Sequence, residues 1–330
     1  MGKDVKKIVR QTLPHITLRQ MQIFEAVVRL GGYTRAAKEL GLTQPTVSMQ
    51  MHKLGDILGL ELLEQTGRTT QPTSIGREVY DNIREILDRL AALGDLADSL
   101  QGVVRGPLNI SVITTAVYFM PHYMGKFVEA HPLVQPRLII SNRNEALERL
   151  RTNQDDLLIM GKVPENMPVK AYPFINNEVV VVARPDHPLA GKSDIPLQAL
   201  ADERFLVREP GSGTRRAVDQ LLASHGVTPT PYMELGNAEA IKQGVMAGLG
   251  VSFLSRRNLD LELSANRIAI LDVREFPLVR RWYAVHVEGR RLSLVTRTFL
   301  DYLLSQDDPV MELSGGTPAR GPFPVRREVR

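Results

Sequence analysis

A glycine-rich segment, Arg208-Glu209-Pro210-Gly211-Ser212-Gly213-Thr214-Arg215, carries residue types that can hold an anion. It lies between a predicted strand and a predicted helix, so its turn presents free backbone N–H groups, which bind anions. The hydroxyls of Ser212 and Thr214 can donate to a carboxylate or phosphate, and Arg208 or Arg215 can add positive charge. A plain helix cap has a similar composition, so this segment alone leaves both interpretations open.

Other polar residues stand where predicted strands end. Thr114 and Thr115 end one strand, Ser141-Asn142 ends another, and Asn237 precedes a helix. In open α/β folds, ligands bind outside the carboxyl ends of the strands, and in a two-lobed fold these ends converge on a cleft. The pattern therefore predicts a cleft for a small molecule that carries an anionic group.

A second group of residues predicts a helix-turn-helix between Thr34 and Gln50. Gly41 tolerates the positive φ of the turn, Thr43 is a good N-cap, and Pro45 falls in the first turn of the next helix, where its missing N–H costs nothing. Small Ala36 and Ala37 allow the two helices to approach closely. Each feature of the turn thus has a physical reason.

The second helix of this pair exposes polar, mostly uncharged side chains, which can hydrogen-bond base edges in the major groove. The candidate base-reading residues are Gln44, Thr46, Ser48 and Gln50. The candidate phosphate contacts are Arg35, Lys53 and Arg68. Arg68 lies at the turn of a β-hairpin predicted within residues 60–73, a wing that places it against phosphate. A helical hairpin with a solvated polar face is the alternative.

Charge and composition favour nucleic-acid binding over several other classes of function. The whole net charge of +4 falls within residues 1–75, which hold ten Lys or Arg against six Asp or Glu. The chain has no cysteine, which excludes disulfides and thiolate metal sites, and its seven histidines form no ligand-spaced pair. We therefore predict no catalytic residues, no metal and no cofactor. No signal segment and no apolar run of roughly 20 residues is present, so we expect a cytoplasmic protein without a membrane partner.

A long helix is predicted from Thr73 or Ser74 to about Gln101. Its apolar positions alternate in steps of four and three, a pattern typical of a helix that pairs with another helix. They are Ile75, Val79, Ile83, Ile86, Leu90, Leu93, Ala97 and Leu100. The charged positions beside them leave a narrow stripe, which favours dimerisation; packing against the chain's own second domain is the alternative.

Beyond Gly102, strand and helix patterns alternate as in a parallel sheet, which predicts fold class α/β with two lobes. The chain is expected to cross between the lobes near residues 175–178 and to return near 273–278. We predict an N-terminal extension (1–16), a winged helix-turn-helix (17–73), a linker and dimerisation helix (74–101), a small-molecule-binding domain (107–305) and a disordered tail (306–330). Within the binding domain, lobe I covers about 107–175 and 278–305, and lobe II covers about 179–273.

Residues 17–75 resemble the winged helix-turn-helix of the LysR-type transcriptional regulators. The resemblance rests on Leu18-Arg19-Gln20-Met21-Gln22-Ile23-Phe24, Tyr33-Thr34-Arg35-Ala36-Ala37, Leu42-Thr43-Gln44-Pro45-Thr46-Val47-Ser48 and Thr73-Ser74-Ile75-Gly76. Most members have Phe or Leu-Phe where Leu62-Leu63 stands, and Thr-Glu-Ala-Gly where residues 73–76 stand. The two predicted lobes are similar to the effector domain of this family, which is itself similar to periplasmic binding proteins.

This resemblance implies a homodimer or homotetramer that binds an inverted-repeat operator on double-stranded DNA, works with RNA polymerase and responds to a small anionic effector. By the same resemblance, the residues that touch the effector are Thr114, Thr115, Asn142, Ser212, Thr214, Asn237 and Ile241. Activation and repression both stay open.

Residues 43–50 and 209–215 are also similar to the subgroup that regulates carbon-fixation operons (Calvin cycle, RuBisCO). Its effectors would be phosphorylated sugars, other phosphorylated metabolites or NADPH. Both stretches occur in other subgroups too, so a regulator of sulfur, amino-acid or aromatic metabolism remains an alternative. A solute-binding protein that does not regulate genes would carry an export signal and no helix-turn-helix, contrary to both patterns.

Overall fold

Two units make up the chain, and each has its own core. The structure, a computed structural model, describes residues 15–66, 69–100, 102–228 and 231–306. One unit extends to Val104 and includes Arg291–Leu294, and the other comprises Arg105–Arg290 and the chain from Val295 onward. The predicted disordered tail, but for residue 306, and most of the predicted N-terminal extension lie outside the described residues. Within the described ranges, no helix combines the length and apolarity needed to cross a bilayer.

The N-terminal unit consists of helices and one hairpin. Its elements are α1 (Leu18–Leu30), α2 (Tyr33–Leu40), α3 (Gln44–Leu58), β1 (Leu63–Thr66), β2 (Thr69–Pro72) and α4 (Ser74–Leu100). The strands β1 and β2 pair antiparallel, with Thr66 opposite Thr69. The predicted turn residues Gly67 and Arg68 fall outside the described residues.

Local capping sets the ends of these helices. Thr17 forms a capping box with Gln20: the Gln20 N–H donates to Thr17 Oγ1 over 3.2 Å, and the Thr17 N–H donates to Gln20 Oε1 over 2.9 Å. Gly41 has φ +64° at the end of α2, and Thr43 Oγ1 accepts from the Thr46 N–H at 3.4 Å at the start of α3. The predicted helix-turn-helix is present with the expected cap and turn.

The first turns of α4 pack into the core of the N-terminal unit. Tyr80 and Ile83 are buried with Phe24, and the rings of Phe24 and Tyr80 meet edge to face with centroids 6.4 Å apart. Val79 packs against the same cluster. Two positions of the predicted pairing stripe, Val79 and Ile83, are therefore covered by the chain's own helices, and the unit's core extends past the predicted division at residue 74.

Gly76 allows the hairpin and α4 to approach closely. A Cβ at this position would lie 2.0 Å from the carbonyl oxygen of Leu62, well inside van der Waals contact. That oxygen accepts from the Thr73 N–H at 3.1 Å, and Thr73 Oγ1 in turn accepts from the Gly76 N–H at 3.0 Å. Only glycine fits at this position, and its lack of a side chain allows the start of the hairpin, at Leu62, to pack directly on α4.

The second unit is built from strands and helices in the predicted alternation. Its elements are β3 (Gly106–Ile113), α5 (Met120–Ala130), β4 (Val134–Ser141), α6 (Arg143–Arg151), β5 (Leu157–Met160), β6 (Val169–Ala183), β7 (Phe205–Arg208), α7 (Gly213–Ser224), β8 (Pro231–Leu235), α8 (Ala238–Met246), β9 (Val251–Ser255), α9 (Asp260–Ser264), β10 (Ala269–Leu271), β11 (Leu278–Val287) and α10 (Leu294–Ser305).

These strands form one mixed sheet in the order β4-β3-β5-β11-β6-β9-β7-β8, with β10 beside β6. The first lobe holds the parallel strands β3–β5, and the second holds the parallel strands β7–β9. The strands within each lobe are parallel, as predicted, whereas the strands β6 and β11 that join the lobes pair antiparallel, which was not predicted. The residues near 175–178, where the chain was expected to cross between the lobes, lie inside β6, which pairs with β11 over residues 169–179 and with β9 over residues 179–182.

Alternation along β6 builds the core of the second lobe on both faces of the sheet. Val179, Val181 and Ala183 belong to one buried cluster, whereas Val180 and Val182 belong to another. The helices α7 and α8 contribute to these two clusters respectively, through residues such as Val218 and Ile241. The continuous apolar run at 179–183 is thus buried on both sides, as predicted.

Candidate functional site

A cavity of about 440 Å³ lies in the second unit where strand ends of both lobes meet. Its size falls in the range of about 300–1,000 Å³ that small-molecule sites occupy. Five of the predicted effector-binding residues line it, namely Thr114, Thr115, Asn142, Ser212 and Thr214. Thr114, Thr115 and Asn142 come from the first lobe and Ser212 and Thr214 from the second, so the fold brings together residues that are far apart in the chain.

Two helix N-termini point their first residues at this cavity. Asn142 caps α6, with its Oδ1 accepting from the Glu145 N–H at 3.0 Å, and Ser212 caps α7, with its Oγ accepting from the Arg215 N–H at 3.5 Å. The other N–H groups of a first helical turn have no partner inside the helix, and the helix dipole adds partial positive charge there. The two walls therefore both favour a negative group between them.

The arginines of the glycine-rich segment have carboxylate partners. Arg208 donates to both oxygens of Glu209 over 2.7 and 2.8 Å, and its Nη2 donates to Thr114 Oγ1 over 3.3 Å. Arg215 donates to Glu234 over 2.9 Å and does not line the cavity. The cations expected from the sequence are thus neutralised, and Arg208 is used to join the lobes.

Three other cations line the cavity, and the sequence interpretation did not include them. They are Arg143, Lys162 and Arg280. Arg143 donates to the Lys162 carbonyl oxygen over 2.9 Å, and Lys162 pairs with Glu165 over 3.0 Å. Burial lowers the pKa of the Arg143 guanidinium, and the charge of Arg216 lowers it further. Burial likewise lowers the pKa of the Arg280 guanidinium, with the charge of Arg143 as the next cause. Crowded, partly buried cations favour an anion.

The floor of the cavity is formed by Trp282 and Asn177, on the paired strands β11 and β6. Trp282 is 1% exposed, and within the described residues its indole N–H has no hydrogen-bond acceptor. Asn177 is also buried, and its Oδ1 accepts from Ser255 at 2.6 Å. Neither residue stands in a recognisable motif, so no local signal in the sequence indicated them.

Asn237 and Ile241 are not among the residues that line the cavity. Asn237 caps α8, with its Oδ1 accepting from the Ala240 N–H at 2.8 Å. Ile241 is fully buried in the core beneath α8. Their assignment followed from the family resemblance, and in this chain the helix that carries them packs against the sheet instead.

In the N-terminal unit, α3 buries Val47, Met51 and Leu54 and turns its other face outward. Gln44 and Lys53 are exposed, whereas Thr46, Ser48 and Gln50 are half-buried along the flanks. The outward face also carries Met49, which is 50% exposed, and His52. Neither Met49 nor His52 was among the residues expected to read bases. Arg35 is exposed on α2, and its Nη2 donates to the Gly31 carbonyl oxygen over 2.9 Å.

Comparison with known proteins agrees with both units. Residues 18–77 match the family described as "Bacterial regulatory helix-turn-helix protein, lysR family", and residues 101–308 match "LysR substrate binding domain". A RuBisCO operon transcriptional regulator of Acidithiobacillus ferrooxidans is 44% identical over 294 residues, 89% of this chain and 95% of the relative. The protein of the same name from Allochromatium vinosum is 44% identical over 292 residues, 88% of this chain and 97% of the relative.

A solved structure is similar to the second unit. The regulatory domain of Synechocystis CcmR, solved in complex with 2-PG, is 44% identical in sequence to this chain. The superposition covers 65% of this chain and 100% of the CcmR domain, with a TM-score of 0.59. The helix-turn-helix, the two-lobed unit and these relatives lead to one assignment: the chain belongs to the LysR family of DNA-binding transcriptional regulators.

Proposed function

We propose that this regulator controls carbon-fixation genes in response to a small phosphorylated anion bound between the lobes of its second unit. The observation that carries the effector part is the cavity itself, where two helix N-termini and three cations converge. The names of the relatives, RuBisCO operon regulators, support the target genes. The complex of the CcmR regulatory domain with 2-PG supports a small-molecule ligand in this unit.

The N-terminal unit would bind an inverted-repeat operator. In this proposal Gln44, at the exposed start of α3, and Thr46, Ser48 and Gln50, along its flanks, read base edges. Arg35, Lys53 and Arg68 contact phosphates. Met49 and His52, which lie on the outward face of α3, face the same groove, where an apolar side chain such as Met49 can contact a thymine methyl group.

Self-association through α4 would place two recognition helices on successive half-sites. The C-terminal half of α4 supports this, because its apolar residues are exposed in the single chain. They are Ile86, Leu90, Leu93, Leu96 and Leu100, with exposures from 42% to 82%. An exposed apolar row of this length on one helix is typical of a helix–helix interface.

We propose the domain roles accordingly: residues 17–73 with the first turns of α4 for DNA, the rest of 74–101 for self-association as a dimer or tetramer, and 107–305 for the effector. The chain would act in the cytoplasm, together with RNA polymerase and without catalysis of its own. A ligand shifts a conformational equilibrium towards the state that it binds better, so an anion bound between the lobes would favour the arrangement in which they are closer together. That change would in turn alter the geometry of the bound DNA.

The cavity contains its own reporter, because Trp282 is the only tryptophan in the chain. Full-length protein would be titrated with 2-phosphoglycolate, a sugar bisphosphate, phosphoenolpyruvate, NADPH, O-acetylserine and benzoate while Trp282 emission is followed. A saturable change with phosphorylated compounds is expected. A response to benzoate or O-acetylserine alone would favour another pathway, and no response to any compound, with no thermal stabilisation either, would refute the effector site.

Two N-cap variants test where the ligand binds. Ser212→Ala and Asn237→Ala each remove an N-cap hydrogen bond from one helix, but only Ser212 lines the cavity. We expect Ser212→Ala to weaken the binding of 2-phosphoglycolate while Asn237→Ala leaves it unchanged. The reverse result would move the site towards α8.

A further inference from the structure

We propose that Arg280 holds the effector's anionic group and at the same time ties the two lobes together, so that one guanidinium transmits the presence of ligand to both walls of the cleft. This inference rests on the proposed effector site for its ligand, but the tie between the lobes can be tested without any ligand.

The geometry of Arg280 supplies the tie. Its Nη1 donates to the carbonyl oxygen of Gly213 over 2.9 Å, and its Nη2 donates to the carbonyl oxygen of Gly161 over 3.1 Å. Gly213 is the first residue of α7 in the second lobe, and Gly161 directly follows β5 in the first lobe. A single planar group therefore fixes the distance between the two walls of the cavity.

The position of Arg280 in the sheet makes this tie effective. It lies on β11 opposite Asn177 of β6, within the antiparallel pair that runs through both lobes. Any change in the angle between the lobes must bend or slide this pair. A side chain anchored there, with a contact to each lobe, senses such a change at both ends.

The charge of Arg280 is available to a ligand. Both of its hydrogen-bond acceptors are neutral backbone carbonyls, and no carboxylate among the described residues pairs with it. Two acidic side chains line the cavity, Glu145 and Glu209, and Glu209 binds Arg208. Glu165, which does not line the cavity, binds Lys162. Arg208 and Lys162 are thus partly neutralised, whereas Arg280 keeps an uncompensated positive charge.

The shape of the guanidinium allows both roles at once. It carries more N–H donors than the two carbonyls use, in a rigid planar fork. An oxyanion can accept from the remaining donors while both carbonyl contacts persist, and charge-assisted hydrogen bonds of this kind are the strong ones. A lysine in place of Arg280 would keep the positive charge but lacks the planar fork. This substitution therefore separates anion binding from the tie between the lobes.

Three variants of the full-length protein test the inference. Arg280→Met removes charge and fork, Arg280→Lys keeps the charge, and Arg281→Lys is the matched control on the next, exposed position of the same strand. Binding of 2-phosphoglycolate would be measured by calorimetry. Hydrogen–deuterium exchange would be followed in peptides covering residues 157–164 and 211–218, which contain the two walls.

Without ligand, we expect faster exchange in both wall peptides for Arg280→Met than for wild type or Arg281→Lys, because both carbonyls lose their donor. With 2-phosphoglycolate, Arg280→Met should bind at least about tenfold more weakly, as for a lost hydrogen bond to a charged group. Arg280→Lys should lose less affinity, and at saturation it should protect only one wall peptide, whereas wild type and Arg281→Lys protect both.

Equal protection of both walls in saturated Arg280→Lys would overturn the lobe-tying role. Unchanged affinity in Arg280→Met would overturn the anion-binding role. If wild type fails to bind the phosphorylated compounds, the proposed effector is wrong, yet the ligand-free exchange of Arg280→Met still decides whether the tie exists. A residue that only supported the fold would raise exchange across the unit and leave the ligand-dependent pattern of both walls intact.

Discussion

Replacing Gly76 with alanine should destabilise the N-terminal unit, although alanine normally favours a helix. The added Cβ would lie 2.0 Å from the Leu62 carbonyl oxygen, whereas close C···O contacts begin at about 3.3 Å. The base of the wing must therefore move away by more than 1 Å or so. That movement weakens the hydrogen bond from the Thr73 N–H to Leu62 O, now 3.1 Å long.

The expected magnitude follows from three contributions. Forcing extra volume into a packed contact costs about 1–3 kcal/mol, and a weakened hydrogen bond costs about 1 kcal/mol. The gain in helix propensity from Gly to Ala offsets about 1 kcal/mol of this. We expect a net loss of about 1–3 kcal/mol in the free energy of unfolding of the N-terminal unit.

Gly94 provides the matched control, because it lies in the same helix and a Cβ there would meet nothing within 4 Å. Gly94→Ala should stabilise by up to about 1 kcal/mol. Hydrogen exchange of the buried amides of α1 in the full chain measures the local opening free energy, with a tenfold rate change for about 1.4 kcal/mol. If Gly76→Ala protects these amides as well as Gly94→Ala does, the close approach is not a constraint and the reasoning fails.

Three further predictions concern DNA, assembly and pH. Ser48→Ala should relax selectivity at one position of an operator selected from random DNA, whereas Arg68→Ala should weaken binding to all sequences alike. Competition binding with operator variants distinguishes the two effects. If Ser48→Ala weakens binding to all sequences equally, Ser48 does not contact a base. Leu93→Asp places a charge on the exposed row of α4 and should yield smaller species in sedimentation; an unchanged assembly would rule out this row as the interface. Burial lowers the pKa of His286 below its ordinary 6.5, so the unfolded chain binds that proton more readily and stability falls as pH drops below about 6.5. His286→Phe should flatten that part of the stability–pH curve in urea unfolding at pH 7.5 and 5.5, and an equally steep curve would contradict the assignment.

Local features of the fold were predictable because their interactions span only a few residues. The cap at Thr43 and the positive φ of Gly41 follow from side chains within one helical turn of the positions they serve. The wing strands and the buried run 179–183 follow from their own patterning. In each case the physical cause lies within the segment itself.

Packing partners were less predictable, since periodicity identifies an apolar face but not what covers it. The stripe on α4 predicted one interface, yet Val79 and Ile83 pack on the chain's own helices while Leu90 and Leu93 remain exposed. Strand patterns likewise do not distinguish parallel from antiparallel neighbours, which is why the β6–β11 pair was not foreseen.

The sequence by itself determined the helix-turn-helix, the two-lobed α/β fold and the polar strand ends Thr114, Asn142 and Ser212, because capping, turns and periodicity are encoded locally. The tertiary structure alone decided which charges face the cavity. Arg208 is neutralised by its neighbour, whereas Arg280 reaches carbonyls 67 and 119 residues away along the chain. Electrostatic partners at such separations are set by how strands stack into one sheet, and no short stretch of sequence records that arrangement.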